Sequence, residues 1–301
     1  MPEKIFKITI IGFGRVGSAF AYALKDAGYY INYIIEKHLS NYRTLKKHFP
    51  DCIISKEIYD SSILDSEIIL LCVQDNKISG VLQSLGKLKI NISGKLFLHT
   101  SGILTSDVFL KIKGKNILKG SMHPIQTFSR ISSRNECLLQ DIYFGIEGDN
   151  VSKESIKKII GKLGSKFIEI KKQDKPLYHS ACVIASNYLI THIYFLDKLF
   201  SRVCDEVTLK VFMPIINRTL ENALKYGIPE ALTGPITRDD KDTIECHIEN
   251  IRKNISGVLD YYNFMGEKTV EVARKQKSIN LKQAKELRKL FKNSQNKKYD
   301  F

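Results

Sequence analysis

One stretch constrains this chain more than any other: residues 7–28, KITIIGFGRVGSAFAYALKDAG. An apolar run at 8–11 has strand character. Gly12, Gly14 and Gly17 follow with G-x-G-x-x-G spacing, and then a helical pattern with Val16, Phe20, Ala23, Leu24 and Ala27 on one face. Strand, tight glycine turn and helix form the context in which this spacing reads as a dinucleotide fingerprint. Gly12 allows the turn, Gly14 lets the backbone approach a pyrophosphate, and Gly17 lets the helix lie on the strand. With Phe13, Arg15 and Val16 these residues make the expected phosphate-binding turn, where a helix N-terminus offers free N–H groups and a positive dipole end. The competing reading is a glycine turn that only packs a strand against a helix.

The next strand, at 30–35, ends in Glu36-Lys37-His38. An acidic residue about 20 positions past the glycines suits the ribose hydroxyls of NAD, and Glu36 has that spacing. Lys37, with Arg43 further on, suits a 2′-phosphate and NADP, so the expected cofactor is NADPH or NADH. A helix at 40–48, a short strand at 52–55 and an apolar strand at 66–73 follow. That last strand ends in Val73-Gln74, residues expected at the cofactor. Strands at 95–98 and 118–121 end in His99-Thr100-Ser101-Gly102 and Met122-His123-Pro124. Parallel strands joined by right-handed crossovers place all these polar ends on one edge of the sheet, with the glycine turn. Strands at 142–147 and 167–170 flank a helix at 153–163. From about Lys175 the pattern is helical: 178–200, 207–226 with Pro214 inside it, 242–254, 257–275 and 281–292. The fold class expected is α/β, a doubly wound Rossmann-type parallel sheet followed by an all-helical domain. The expected divisions are a dinucleotide-binding domain at 1–172, a helical substrate and dimerisation domain at 173–279, and a basic helix or tail at 280–301.

The net charge of +15 raises the question of nucleic acid. Residues 274–301 hold ten Lys/Arg against Glu286 and Asp300, so more than half of the excess sits in the tail. With no basic, aromatic-interleaved motif, a solvated lysine-rich helix is favoured over a nucleic-acid site. The six cysteines are scattered without a C-x-x-C pair, and no secretory signal is visible, which reads as a reduced cytoplasmic protein. The most apolar segment, 181–196, is interrupted by Ser186, Asn187, Thr191 and His192, so no membrane span is expected. No His, Cys or carboxylate spacing argues for a metal.

Five motifs occur in order: the fingerprint, HTSGIL at 99–104, GSMHPIQTF at 120–128, YHSACVIASNYL at 178–189 and LTGPITRDD at 232–240. Over roughly residues 5–270 they resemble a bacterial family of Rossmann-like proteins with a helical second domain of unassigned function. That family lies in the clan of 6-phosphogluconate and β-hydroxyacid dehydrogenases, ketopantoate reductases and pyrroline-carboxylate reductases, and some members look like an alternative ketopantoate reductase. The resemblance implies a nicotinamide-dependent reductase, dimeric through its helical domain. Many clan dehydrogenases carry a lysine four residues before an asparagine that matches Asn187; here that position is Val183.

His179 lies two helical turns before Asn187, on one broad face, and a histidine can supply the missing proton. Asn187 on an apolar helix is either a site residue or a helix–helix hydrogen bond. His123, after a strand, is the third catalytic candidate. Arg238 offers a planar fork to a substrate carboxylate, with Asp240 beside it; the competing reading is a local ion pair. Ser101 and His99 line a nicotinamide pocket or simply stabilise a turn. Where family members have Arg-Gly-Asp, Asp239 replaces the glycine. These residues fit reduction of a small 2-oxo acid, with 2-dehydropantoate the best single candidate. The alternatives are an imine or aldehyde reductase and a nicotinamide-binding sensor or scaffold without turnover.

Overall fold

The computed structural model describes residues 6–38, 42–112, 116–133 and 136–296. Ser40, the expected start of the helix after the second strand, and the last five residues of the basic tail lie outside the described residues. The chain forms two compact units, Met1–Ser186 and Asn187–Phe301.

The first unit carries an eight-stranded sheet in the order β3-β2-β1-β4-β5-β6-β7-β8. The strands are β1 Lys7–Ile11, β2 Tyr30–Ile35, β3 Ile53–Ser55, β4 Ile68–Leu71, β5 Leu96–His99, β6 Leu118–Pro124, β7 Tyr143–Gly148 and β8 Lys166–Glu169. The first six places follow the doubly wound order, and the chain reverses direction across the sheet between β1 and β4, the switch point at which such folds bind ligands. Successive side chains alternate between two cores. Ile8, Ile10, Ile68, Leu70, Leu96 and Leu98 pack on one face. Ile11, Ile69, Leu71 and Phe97 pack on the other. Burial on both faces explains why these strands read as unbroken apolar runs.

Helix α1 (Arg15–Asp26) starts at Gly14 and buries Phe20, Ala21 and Leu24. A methyl group on Gly17 would stand 1.9 Å from the Gly12 carbonyl oxygen, so only glycine admits this approach of helix to turn. Helices α2 (Tyr42–His48), α3 (Asp60–Leu64) and α4 (Asp75–Lys87) connect the following strands, and α5 (Asn150–Lys162) joins β7 to β8.

The parallel expectation holds from β1 to β6 and between β7 and β8, but β6 and β7 run antiparallel. Among the described residues, no helix lies between Pro124 and Tyr143. Without a crossover helix the returning strand pairs antiparallel. The helix expected at 178–200 is two helices, α6 (Lys175–Val183) and α7 (Leu189–Phe200), separated by a π-helical turn at Ile184–Tyr188. Asn187 sits in that wide turn, a distortion that clusters at functional positions.

The second unit contains α7, α8 (Thr208–Tyr226), α9 (Lys241–Ile255), α10 (Leu259–Gln276) and α11 (Leu281–Asn296). Its core comes from α9, α10 and α11. The lysine-rich α11 is therefore not wholly solvated: Ala284, Leu287 and Phe291 are buried, and its cations occupy the opposite face. Helix α7 lays Phe195 and Leu199 against this core, while α7 and α8 also expose large apolar side chains, Leu224 at 89% and Ile190 at 67% among them.

The fingerprint contact yields a paired expectation. Gly17→Ala destabilises the chain by about 1–3 kcal/mol through overpacking against the Gly12 carbonyl. Gly80→Ala, inside α4 with nothing within 4 Å of the new methyl, stabilises by about 0.5–1 kcal/mol. Chemical denaturation of the two variants beside the parent checks both signs.

Candidate functional site

The turn after β1 is shaped as a cradle. Gly12 has φ +95° and its missing side chain would strike Val73 Cγ1 at 2.8 Å, so turn and β4 end are pressed together by two residues the sequence assigns to the cofactor. Gly14 is exposed, and a methyl group there would meet nothing within 4 Å. Backbone amides at the start of α1 thus face open space at the positive end of the helix, with Arg15 and Gln74 exposed and Val16 half-buried beside it. Phe13 points the other way, its ring packed edge-on against Tyr22 and Phe49. Glu36 latches this turn to the end of β2: Oε2 accepts from the Phe13 amide at 2.7 Å and Oε1 from the His38 amide at 3.0 Å. Lys37 and Arg43 are exposed. Turn, open approach and a fixed carboxylate next to exposed cations fit a nicotinamide dinucleotide.

A second cluster forms where β5 and β6 end, on the same sheet edge. Ser101 Oγ donates to Asp75 Oδ2 at 2.9 Å and accepts from the amides of Ile103 and Leu104. Its hydroxyl is therefore engaged in building the loop. Thr100 likewise bonds back to the Leu71 carbonyl through its amide, 3.2 Å. His99 is fully buried against Phe109; Nδ1 accepts from the Ser101 amide at 3.2 Å, and Nε2 has no partner. It supports the loop from behind.

Into this loop α6 delivers three side chains. Lys175, 2% exposed, donates from Nζ to the Ser101 carbonyl at 3.1 Å and to Ser121 Oγ. Tyr178 Oη lies 2.6 Å from His123 Nδ1. The tyrosine rests on Gly145 of β7, where a methyl group would stand 2.3 Å from its oxygen. When the phenol donates across this bond, the neutral imidazole carries its own proton on Nε2. His179 packs edge-on to His123 with ring centroids 5.8 Å apart. A methyl group on Gly102 would stand 2.6 Å from His179 Nδ1, which is buried without a partner, and 2.9 Å from His123 Nε2. Two imidazole nitrogens thus converge over one bare stretch of backbone.

Burial sets the charge states. It pulls His99 down to about 3, with the Lys175 charge adding to the effect. Burial, then His179 and Lys175, pull His123 down to about 4. Burial lowers Lys175 to about 8, while Glu147 and Asp75 oppose the shift. At neutral pH both His99 and His123 are uncharged and Lys175 is the cation among them. Glu147, itself buried, accepts from the amide and hydroxyl of Ser106 at 2.7 Å each.

In the second unit, Asp240 caps α9 by accepting from the Thr243 amide and hydroxyl. Arg238 stays exposed, with Nη2 3.9 Å from Asp240 Oδ2, too long and solvated a pair to hold it. Asp239 takes the left-handed conformation, φ +54°. The sequence reading missed Lys175, Tyr178 and Gly102. Lys175 had a signal: a cation at the first turn of a helix opposes the helix dipole and calls for a reason.

Residues 2–124 match the model of a Rossmann-like domain. Residues 142–269 match DUF2520, a domain of unknown function. The chain joins these two domains, the pairing carried by its motifs. No curated protein matches the sequence. Among solved structures, protein TM1727 from Thermotoga maritima is 24% identical with TM-score 0.67, spanning 90% of this chain and 99% of that one. An oxidoreductase of Bacteroides fragilis, provisionally assigned to NADP, is 21% identical with TM-score 0.69 over 90% and 98%. A reductive aminase from Aspergillus terreus, solved with NADPH and ethyl-5-oxohexanoate, is 14% identical with TM-score 0.60 over 97% and 94%.

The buried imidazoles make stability fall in acid. His99 in the unfolded chain takes its proton as pH drops through about 6.5, whereas the folded site resists until about 3. Its contribution is present above 6.5 and is lost progressively on the way down, about 2–3 kcal/mol by pH 4.5. His123 adds to the loss in the same direction. The melting temperature of His99→Asn, whose amide oxygen can take the Ser101 amide, should drop less between pH 7 and 4.5 than that of the parent. Equal drops would remove His99 from the account.

Proposed function

We propose that this chain reduces the carbonyl of a small 2-oxo acid with NADPH, and that 2-dehydropantoate is the first substrate to test. The observation that carries the reading is the convergence of His123 Nε2 and His179 Nδ1 over Gly102, on the sheet edge that also holds the glycine cradle. The nicotinamide, when bound, supplies hydride. The protein's part is to orient and to handle the proton. Neutral His123, in the tautomer that accepts from Tyr178 at Nδ1, would hold an N–H donor on Nε2 and donate it to the carbonyl oxygen as negative charge develops there. His179 is the proposed proton source. Lys175 is a positioning residue, tying the Ser101–Gly102 loop to β6. Asn187 and Arg238 are proposed, on their sequence motifs, to hold the carbonyl oxygen and the carboxylate. Ser101 and Asp240 would act through the loop and the cap they build.

NADPH is preferred because both Glu36 oxygens already accept backbone amides, leaving exposed Lys37 as the group facing a 2′-phosphate. The naming of the Bacteroides and Aspergillus proteins for NADP and NADPH supports that choice. The Aspergillus likeness also favours one second reading, reduction of an imine. Oxidation of NADPH and NADH followed at 340 nm, with 2-dehydropantoate, other 2-oxo acids and a cyclic imine, tests both. We expect turnover with a 2-oxo acid, NADPH over NADH, preference inverted in Lys37→Glu, and turnover lost in His123→Phe with nucleotide affinity kept. Tight nucleotide binding without turnover on any substrate would favour a sensor.

We also infer that two copies pair through α7 and α8. Each side chain left open there, such as Ile190, Ile215 and Leu224, forfeits about 1.5–3 kcal/mol of burial, and contiguous exposure on this scale marks an interface. Light scattering should give twice 34.4 kDa, and Ile215→Glu with Leu224→Glu should halve it. A monomeric parent protein would overturn the inference.

A further inference from the structure

The second unit holds a cavity of about 380 Å³, within the range of roughly 300–1,000 Å³ typical of small-molecule sites. Its floor is the buried core of that unit: Ile244, Val258 and Phe291. Phe291 packs directly on Gly266, where a methyl group would stand 2.3 Å from its ring. Phe195 stacks flat on Tyr261 at 4.1 Å between ring centres to form one wall.

The polar groups sit at the mouth. His192 and His247 both line the cavity and are exposed. Each has its Nδ1 bonded to a tyrosine hydroxyl, His192 to Tyr261 and His247 to Tyr262, the latter at 2.8 Å. Where each tyrosine gives its proton to Nδ1, as the more acidic partner, each neutral imidazole keeps a proton on Nε2. The mouth thus presents two N–H donors, and the lining holds no carboxylate. The pair of imidazoles suits an acceptor head, with Asp240 near His247 outside the lining; the floor suits an apolar body.

We propose that this cavity binds a small apolar monocarboxylate, aryl or branched alkyl, with its body on Ile244 and Phe291 and its carboxylate at His192 and His247. The site is built from the second unit alone and does not depend on the reductase reading. Met265 lines it, whereas Met122 lies in the core of the first unit, so their methyl groups serve as reporter and control.

Full-length protein labelled with ¹³C-methyl methionine is titrated with 3-phenylpropanoate, without nucleotide, and the Met265 signal is assigned through Met265→Leu. We expect a saturable shift of Met265 with Met122 unmoved. Leu199→Trp, which fills the cavity, should weaken binding at least tenfold. Thr269→Phe, at the half-exposed edge, does the same if the first variant does not fold. His192→Phe with His247→Phe should weaken 3-phenylpropanoate at least tenfold and leave toluene binding unchanged. No Met265 shift at millimolar ligand overturns the proposal, as does undiminished binding in the filled variant. A Met265 shift that follows protein concentration instead of ligand also overturns it and gives the cavity to a second copy.

Discussion

The carboxyl edge of the sheet depends on how closely α1 approaches the turn that precedes it. The Gly12 carbonyl oxygen occupies the volume that any side chain at position 17 would need, and Gly12 in turn is pressed against Val73 at the end of β4. The start of α1, the end of β1 and the end of β4 are thereby locked within van der Waals contact at the switch point. Glu36 extends the lock to β2 by accepting the Phe13 amide. Four strand or helix ends are held without one side chain being spent inside the turn, which is why its amides remain available to a phosphate.

The two units solve the burial problem differently. In the first, crossover helices cover both faces of the sheet, and alternate residues of each inner strand enter separate cores. In the second, α9, α10 and α11 close a core on which α7 lays Phe195 and Leu199, while other apolar side chains of α7 and α8 stay exposed. An amphipathic helix whose own chain leaves much of its apolar face uncovered is incomplete as a folding unit. Pro214 does not end α8, so this helix persists although few tertiary contacts from its own chain support it.

Much of the first unit was legible from local chemistry. Fingerprint spacing, unbroken apolar strands and polar strand ends each follow from covalent-scale constraints, and each appears where the sequence places it. The antiparallel β7 was not legible, because strand direction is set by the connection, and residues 125–142 carry no periodicity that distinguishes a crossover from a loop. The π turn at Asn187 was hidden inside an even apolar run. Candidate residues divided on burial. His123 and His179 reach one point, whereas His99 and Ser101, equally polar and at the same strand end, turn inward to bond the loop. Asp240 spends its carboxylate on a helix cap. A sequence marks the type of a polar residue but not which way its side chain faces.

The electrostatics of the β5–β6 cluster give that inward turn a purpose. Burying an ammonium group is costly unless dipoles surround it, and Lys175 meets this with the Ser101 carbonyl and the Ser121 hydroxyl. Its charge then acts on the neighbouring imidazoles, reinforcing desolvation and holding His99 and His123 uncharged. A neutral imidazole with a defined tautomer is a directional donor, and a Tyr178 hydroxyl that donates to His123 Nδ1 supplies that definition. Protonating His123 would make Nδ1 a donor and oblige the Tyr178 hydroxyl to accept. The lysine that clan members place near the asparagine is absent at Val183. The lysine present twelve residues before Asn187 is too deeply buried to touch a substrate, so its influence reaches the candidate site through the protonation state of the histidines it faces.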